Sequence, residues 1–186
     1  MEQNTIKKDM WNAAGIAGLA LGAVSSAYLF ATQMIAGSLE PASLWQQAAS
    51  VILWIVKFAG CIWLMNFFMK KFAGEHPDIN GRAVFRMGTY TALLSSLMYS
   101  AVYLANIMYI SADWYQNILE TAMQQMSATL DSNSQAMVGK IIDSMPQITF
   151  VYNLIYCFIF GTVVSAVLSR NITSKSPFED SKDEQK

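Results

Sequence analysis

The residue with the greatest chemical reach in this sequence is a lysine set where the surroundings are apolar. Lys57 stands in the middle of a run of apolar residues over 44–68. At a rise of 1.5 Å per helical residue it lies about 18 Å from Trp45 and about 20 Å from Lys70, so its stem reaches neither end of the run easily. A lysine at the centre of a bilayer costs roughly 2.5–3.5 kcal/mol on insertion scales, and such residues face a bundle interior or a water-filled cavity. Its own stripe holds Ser50, Trp54, Gly60 and Cys61, which predicts an inward face. The groups at similar depth in the other apolar runs are Ser25, Ser26 and Tyr28, then Ser95, Ser96 and Tyr99, then Tyr156, with Asn153 somewhat higher. None of the runs holds a carboxylate, so a charged Lys57 needs hydroxyl partners, water or a bound anion such as a lipid head group. Lys57, Tyr28, Ser96, Tyr99 and Tyr156 therefore form the candidate intramembrane polar site. It reads either as an anion or proton site or as a lysine held structurally in a polar bundle core.

The sequence holds no phosphate-binding glycine loop, no GxSxG elbow, no HExxH and no Cys or His cluster at metal-ligand spacing. His76 lies beside Glu75, Pro77 and Asp78, a set that reads as an exposed polar turn before it reads as a weak metal site. Cys61 and Cys157 both fall in apolar runs, where cysteine behaves as a small hydrophobe. No metal site, no cofactor and no enzymatic activity are expected. A lipid-processing enzyme would need acids in a cluster, or a nucleophile with a base, and the acids here are scattered.

The elements that would carry Lys57 follow from composition. Of 186 residues 54% are apolar and only 13% charged, and the charges avoid four long stretches instead of covering a surface. A bilayer core of about 30 Å takes roughly 20 residues of helix. Residues 11–35, 44–68, 84–110 and 147–169 meet that length. The first is too long for the apolar core of a secretory signal and is read as a retained helix. The expected fold is all-α: an integral membrane four-helix bundle over residues 1–170, followed by a polar cytoplasmic tail at 171–186 that is expected to be disordered.

Orientation follows from the bases. Ten of the twelve, all but Lys57 and Lys140, flank one set of span ends. Both termini are therefore expected in the cytoplasm. A net charge of −1 and the absence of a basic stripe give no reason to expect nucleic acid as a partner.

Helices in lipid associate by close approach along small residues. Three spans carry such stripes: Ala14, Gly18, Gly22 and Ser26 in the first, Gly88, Ala92, Ser96 and Ser100 in the third, Gly161, Ser165 and Ser169 in the fourth. They predict a tight bundle, and spacing alone leaves open whether the faces meet within one chain or between chains. Between spans three and four, residues 111–146 are too polar to cross and too periodic for a loop. Tyr115, Ile118, Leu119, Ala122, Met123, Met126 and Leu130 form one helical stripe; Met137, Val138, Ile141, Ile142 and Met145 form a second, after an interruption at Asp131, Ser132, Asn133 and Ser134. An extracytoplasmic amphipathic helical hairpin is expected, either a Met-rich surface for a partner or a cover lying on the membrane or the bundle mouth. In the tail, Ser176, Pro177 and Phe178 are a possible docking motif or plain solvated chain.

The order of these features resembles a known family. Four helices, a basic loop leading through Gly81 and Arg82 into span three, the series Tyr99, Tyr103 and Tyr109, an outer segment starting near Trp114 and Tyr115, and a fourth span closing with Gly161 and a basic residue are similar to domain-of-unknown-function family 4199. The resemblance implies a bacterial cytoplasmic membrane and no catalytic residue; Lys57 departs from its pattern. The expected function is non-enzymatic association with membrane lipids, with a membrane protein partner or with further copies of the chain. The alternative is a subunit of an oligomeric transporter or channel that uses the mid-membrane lysine.

Overall fold

A computed structural model of the chain describes residues 2–38, 44–77, 79–127 and 132–172. All the described elements are helices: α1 (Glu2–Ser38), α2 (Leu44–Glu75), α3 (Gly81–Ala105), α4 (Ala112–Ser127), α5 (Ser132–Asp143) and α6 (Met145–Ile172). Four segments are long and apolar enough to cross a membrane: Ile6–Ile35, Gln47–Glu75, Gly81–Ile110 and Met145–Ile172. The protein is an integral membrane four-helix bundle. Asp78, Leu130, Asp131 and residues 173–186, with the Ser176 motif, lie outside the described residues.

The helices outlast the apolar runs that announce them. Backbone hydrogen bonding, not hydropathy, ends a helix, so α2 continues through Lys70 and Lys71 to Glu75, with Lys71 and Glu75 paired one turn apart at 4.0 Å. α3 starts at Gly81, three residues before its apolar run, because the Asn80 side chain caps it by accepting from the Arg82 N–H. α6 carries Pro146 in its first turn, where the missing N–H is tolerated. At its other end α3 loosens into a π-helical stretch, Asn106–Ile110, whose Asn106 is buried and accepts from the Ser111 hydroxyl at 3.4 Å. Ser132, Asn133 and Ser134, expected to interrupt the outer segment, instead start α5. Residues of that type favour helix N-termini, so a run that reads as a break reads equally as a start.

α3 is the centre of the bundle, packed closely on α1 and on α6, while α2 lies mainly on α1 and touches α3 and α6 more lightly. Small residues make both close joints. A Cβ added at Gly18 of α1 would stand 2.7 Å from the Leu94 Cβ, and one at Gly22 would stand 2.7 Å from the Met98 sulfur. Across the other joint Gly161 of α6 lies against Ala92, and Gly88 lies against Ser165, whose hydroxyl donates to the Phe85 carbonyl at 3.1 Å. The stripes of α3 and α6 therefore meet each other within one chain, and that of α1 packs on Thr91, Leu94, Ser95 and Met98 of the same chain. Ser26 turns back to donate to the Gly22 carbonyl at 2.8 Å. Ser100, by contrast, has a buried hydroxyl with no protein partner, so it serves the joint by its size.

A layer of large apolar side chains closes one end of the bundle, the end where α1 and α3 begin and α2 and α6 finish. Met10, Leu21, Met65, Met69, Phe72 and Met87 are buried there. The Trp11 ring stacks on Tyr90 at 4.6 Å. His76 is not the free polar turn its neighbours suggested. Its Nε2 lies 3.7 Å from the Asp9 carboxylate and its Nδ1 lies 3.2 Å from the Phe72 carbonyl, which ties the end of α2 to α1.

At the opposite end α4 and the last residues of α5 flank a groove of about 620 Å³. Tyr115, Leu119 and Met123 of the first amphipathic stripe line it with Ile142 and Pro146, while Ile118 is exposed.

Candidate functional site

The buried side chains of α2 are Met65, Met69 and Phe72, all toward its C-terminal end. Above them the helix leans away, and Trp54, expected on the inward stripe of Lys57, is 54% exposed. Ser50 is exposed as well, so of that stripe only Lys57 and Cys61 line the interior space. Trp54 and Ser50 of the stripe therefore face outward, while Lys57 and Cys61 face in as expected.

The departure of α2 opens a cavity of about 80 Å³ at mid-span, walled by α1, α2, α3 and α6 together. Leu21 and Met65 form its floor, continuous with the buried apolar layer. Ser25, Lys57, Cys61, Ser95, Tyr156 and Cys157 supply its polar lining. Ser25 Oγ and Cys61 Sγ are hydrogen-bonded at 3.7 Å across the α1–α2 seam. On the α2–α6 seam the Phe58 ring meets the Phe160 ring edge-on at 5.0 Å.

The Lys57 ammonium sits over two aromatic faces, 4.7 Å from the centre of the Tyr28 ring and 4.8 Å from that of Tyr99. A ring face carries the negative end of the aromatic quadrupole, and a desolvated cation over it gains about 2 kcal/mol. Among the described residues no carboxylate pairs with Lys57. The acids within the spans are Asp9 and Glu75, and both lie at the closed end. The ammonium is thus held by neutral groups on two sides and borders an open space on another.

Of the five residues read as the candidate site, Lys57 and Tyr156 line this cavity, and Tyr28 and Tyr99 present their ring faces to the Lys57 ammonium without lining it. Ser96 does neither. It is buried, and its hydroxyl donates to the Leu93 carbonyl at 2.9 Å, on the side of α3 that carries the small-residue stripe toward α6. Its neighbour Ser95 lines the cavity instead, because one residue turns a helix by about 100°. Ser25, Cys61 and Cys157 complete the lining. Equal depth with Lys57 pointed to Ser25 in the sequence and the shared stripe pointed to Cys61, whereas Cys157 carried no signal beyond its place in an apolar run.

Chemically the cavity offers a fixed positive charge, hydroxyl groups able to donate hydrogen bonds, and two thiols. Among the described residues no group of three or more His, Cys, Asp or Glu side chains is placed to hold a metal ion. Residues 16–170 match the family model described as "Protein of unknown function (DUF4199)". No curated protein and no solved structure matches the chain.

Proposed function

We propose, for a chain that belongs to the DUF4199 family and takes no assigned activity from it, that it is a non-enzymatic protein of a bacterial cytoplasmic membrane that works by binding lipids between its helices. The observation that carries this reading is the cavity itself: a cationic, partly polar space at mid-span, bounded on the α2–α6 side by a light contact rather than a packed joint. The stripes of small residues that serve helix association are taken up inside the chain, between α1 and α3 and between α3 and α6. That favours lipid over a partner helix as the associate. Passage of a solute through the chain itself would have to breach the buried layer of Met65, Met69, Phe72 and Met87, so transport, the alternative for a mid-membrane lysine, would need further copies of the chain. Binding needs no such path.

The reading also places the closed end in the cytoplasm. Lys7, Lys8, Lys70, Lys71, Arg82, Arg86 and Arg170 all stand at that end of the bundle, and short flanking segments rich in Lys and Arg stay inside. α4 and α5 are then extracytoplasmic. Alkaline phosphatase fused after Lys186 is expected to be inactive, and fused within residues 128–131 to be active. The reverse pattern would refute the orientation.

Lipid binding is tested by native mass spectrometry of the full chain released from mild detergent. Retained lipid at a fixed stoichiometry is the expected result. Release as the bare chain under conditions that preserve its fold would oppose the proposal.

A further inference from the structure

Charge, volume and lining together narrow the ligand. The ammonium of Lys57 has Tyr28 and Tyr99 on two sides and open cavity beyond them. A partner of opposite charge is the group that best lowers the cost of a cation at this depth, since no acid of the described spans reaches it.

The space is about 80 Å³. Water takes about 30 Å³ in the liquid, so the cavity has room for two or three waters or for one carboxylate. A phosphodiester with its glycerol and head group needs more.

The remaining lining is divided. Ser25, Ser95 and Tyr156 add hydroxyls to the Lys57 ammonium, and Phe58 and Ile62 of α2 with Phe160 and Val164 of α6 add apolar side chains. Ile62 among them is 38% exposed, which leads from the charge toward the surface of the bundle. The Phe58–Phe160 contact is the side-chain closure between the two helices at this level. An apolar tail leaving the cavity along this seam displaces ring contacts rather than a close backbone joint of the kind that α1 and α6 make with α3.

We infer that the cavity binds the carboxylate head of a single-chain amphiphile, with Lys57 as its counter-ion, Tyr156 and Ser95 as hydroxyl donors and the tail running out between α2 and α6. This rests on the lipid-binding reading above and adds the head group, the residue that selects it and the exit.

The test is equilibrium binding to the purified full chain in a non-ionic maltoside, with radiolabelled laurate, methyl laurate and acetate as probes. Wild type is expected to bind one laurate per chain. Methyl laurate, which keeps the tail and loses the charge, and acetate, which keeps the charge and loses the tail, should each bind at least about tenfold more weakly. Lys57→Met should lose laurate by a similar factor and Lys57→Arg should keep it within about threefold, both with the wild-type circular dichroism spectrum. Equal affinity of wild type for laurate and its methyl ester would overturn the assignment whether or not any variant folds. Acetate binding as tightly as laurate would overturn the amphiphile, and a folded Lys57→Met that binds laurate normally would overturn the role of the lysine. If native mass spectrometry still finds other lipid bound after such a result, the inference alone has failed. If no lipid stays bound, the broader reading fails with it.

Discussion

Gly18→Leu and Gly161→Leu should each destabilise the bundle by about 3 kcal/mol or more, the upper part of the range for overpacking a close joint. At Gly18 an added Cβ meets the Leu94 Cβ at 2.7 Å, with the Ser95 nitrogen and the Thr91 carbonyl oxygen at 3.3 Å. At Gly161 it meets the Ala92 Cβ at 2.6 Å and the Ala92 Cα at 3.4 Å. These neighbours are backbone atoms or the first atom of a side chain, so no rotamer change relieves the clash. The helices must separate, and the dispersion contacts that hold spans together in lipid go with them. Gly15 gives the control. It lies on the same helix three residues before Gly18, with nothing within 4 Å of an added Cβ. Gly15→Leu should leave stability within about 0.5 kcal/mol. Thermal unfolding in detergent checks all three, and equal midpoints for Gly15→Leu and Gly18→Leu would show that the α1–α3 joint is not close-packed.

The four spans were legible because a bilayer demands about 20 uninterrupted apolar residues and little else produces them. The faces of α1, α3 and α6 were legible because every fourth residue falls on one side of a helix. Which stripe meets which was not, since Gly18 in a row of small residues says that something comes close without saying what. The lean of α2 had no signature at all. In water an exposed Trp54 and a buried Met65 would be separated by polarity, but in lipid both surroundings are apolar and the two positions read alike.

Depth along the spans collected the right neighbourhood for Lys57 and left its azimuth open. Tyr28, Tyr99 and Tyr156 were picked out by height, and the first two meet the Lys57 ammonium while the third lines the cavity, yet the same height also picked Ser96, which turns away while Ser95 turns in. The tie between His76 and Asp9 was invisible because the two are brought together only by the packing of α1 on α2. The end of the third span at Ile110 was legible, but the π-helical stretch Asn106–Ile110 that closes it was not, because it changes the register of a segment whose hydropathy is uniform.

A lysine retained at mid-membrane implies that its surroundings compensate it, and here the compensation is specific. With the ammonium 4.7 Å and 4.8 Å from the centres of two tyrosine rings, two cation–π contacts of about 2 kcal/mol each match or slightly exceed an insertion penalty of roughly 2.5–3.5 kcal/mol. Removing the charge therefore removes both sides of the balance, and Lys57→Met should change stability by less than about 1.5 kcal/mol. Replacing the rings while keeping the charge is different. Tyr28→Leu combined with Tyr99→Leu leaves the ammonium uncompensated in the bundle, and the loss should exceed the loss caused by the same pair in the Lys57→Met background by about 2–4 kcal/mol. Packing and hydroxyl effects of the tyrosine changes are common to both backgrounds and cancel in the comparison. The claim on which both the cavity's charge and its proposed ligand depend is that Lys57 points into the bundle between Tyr28 and Tyr99. The coupling free energy of this double-mutant cycle, measured by reversible unfolding in mixed micelles, tests it most directly: about 2–4 kcal/mol is the predicted result, and a coupling below about 0.5 kcal/mol would place the ammonium elsewhere and contradict the account.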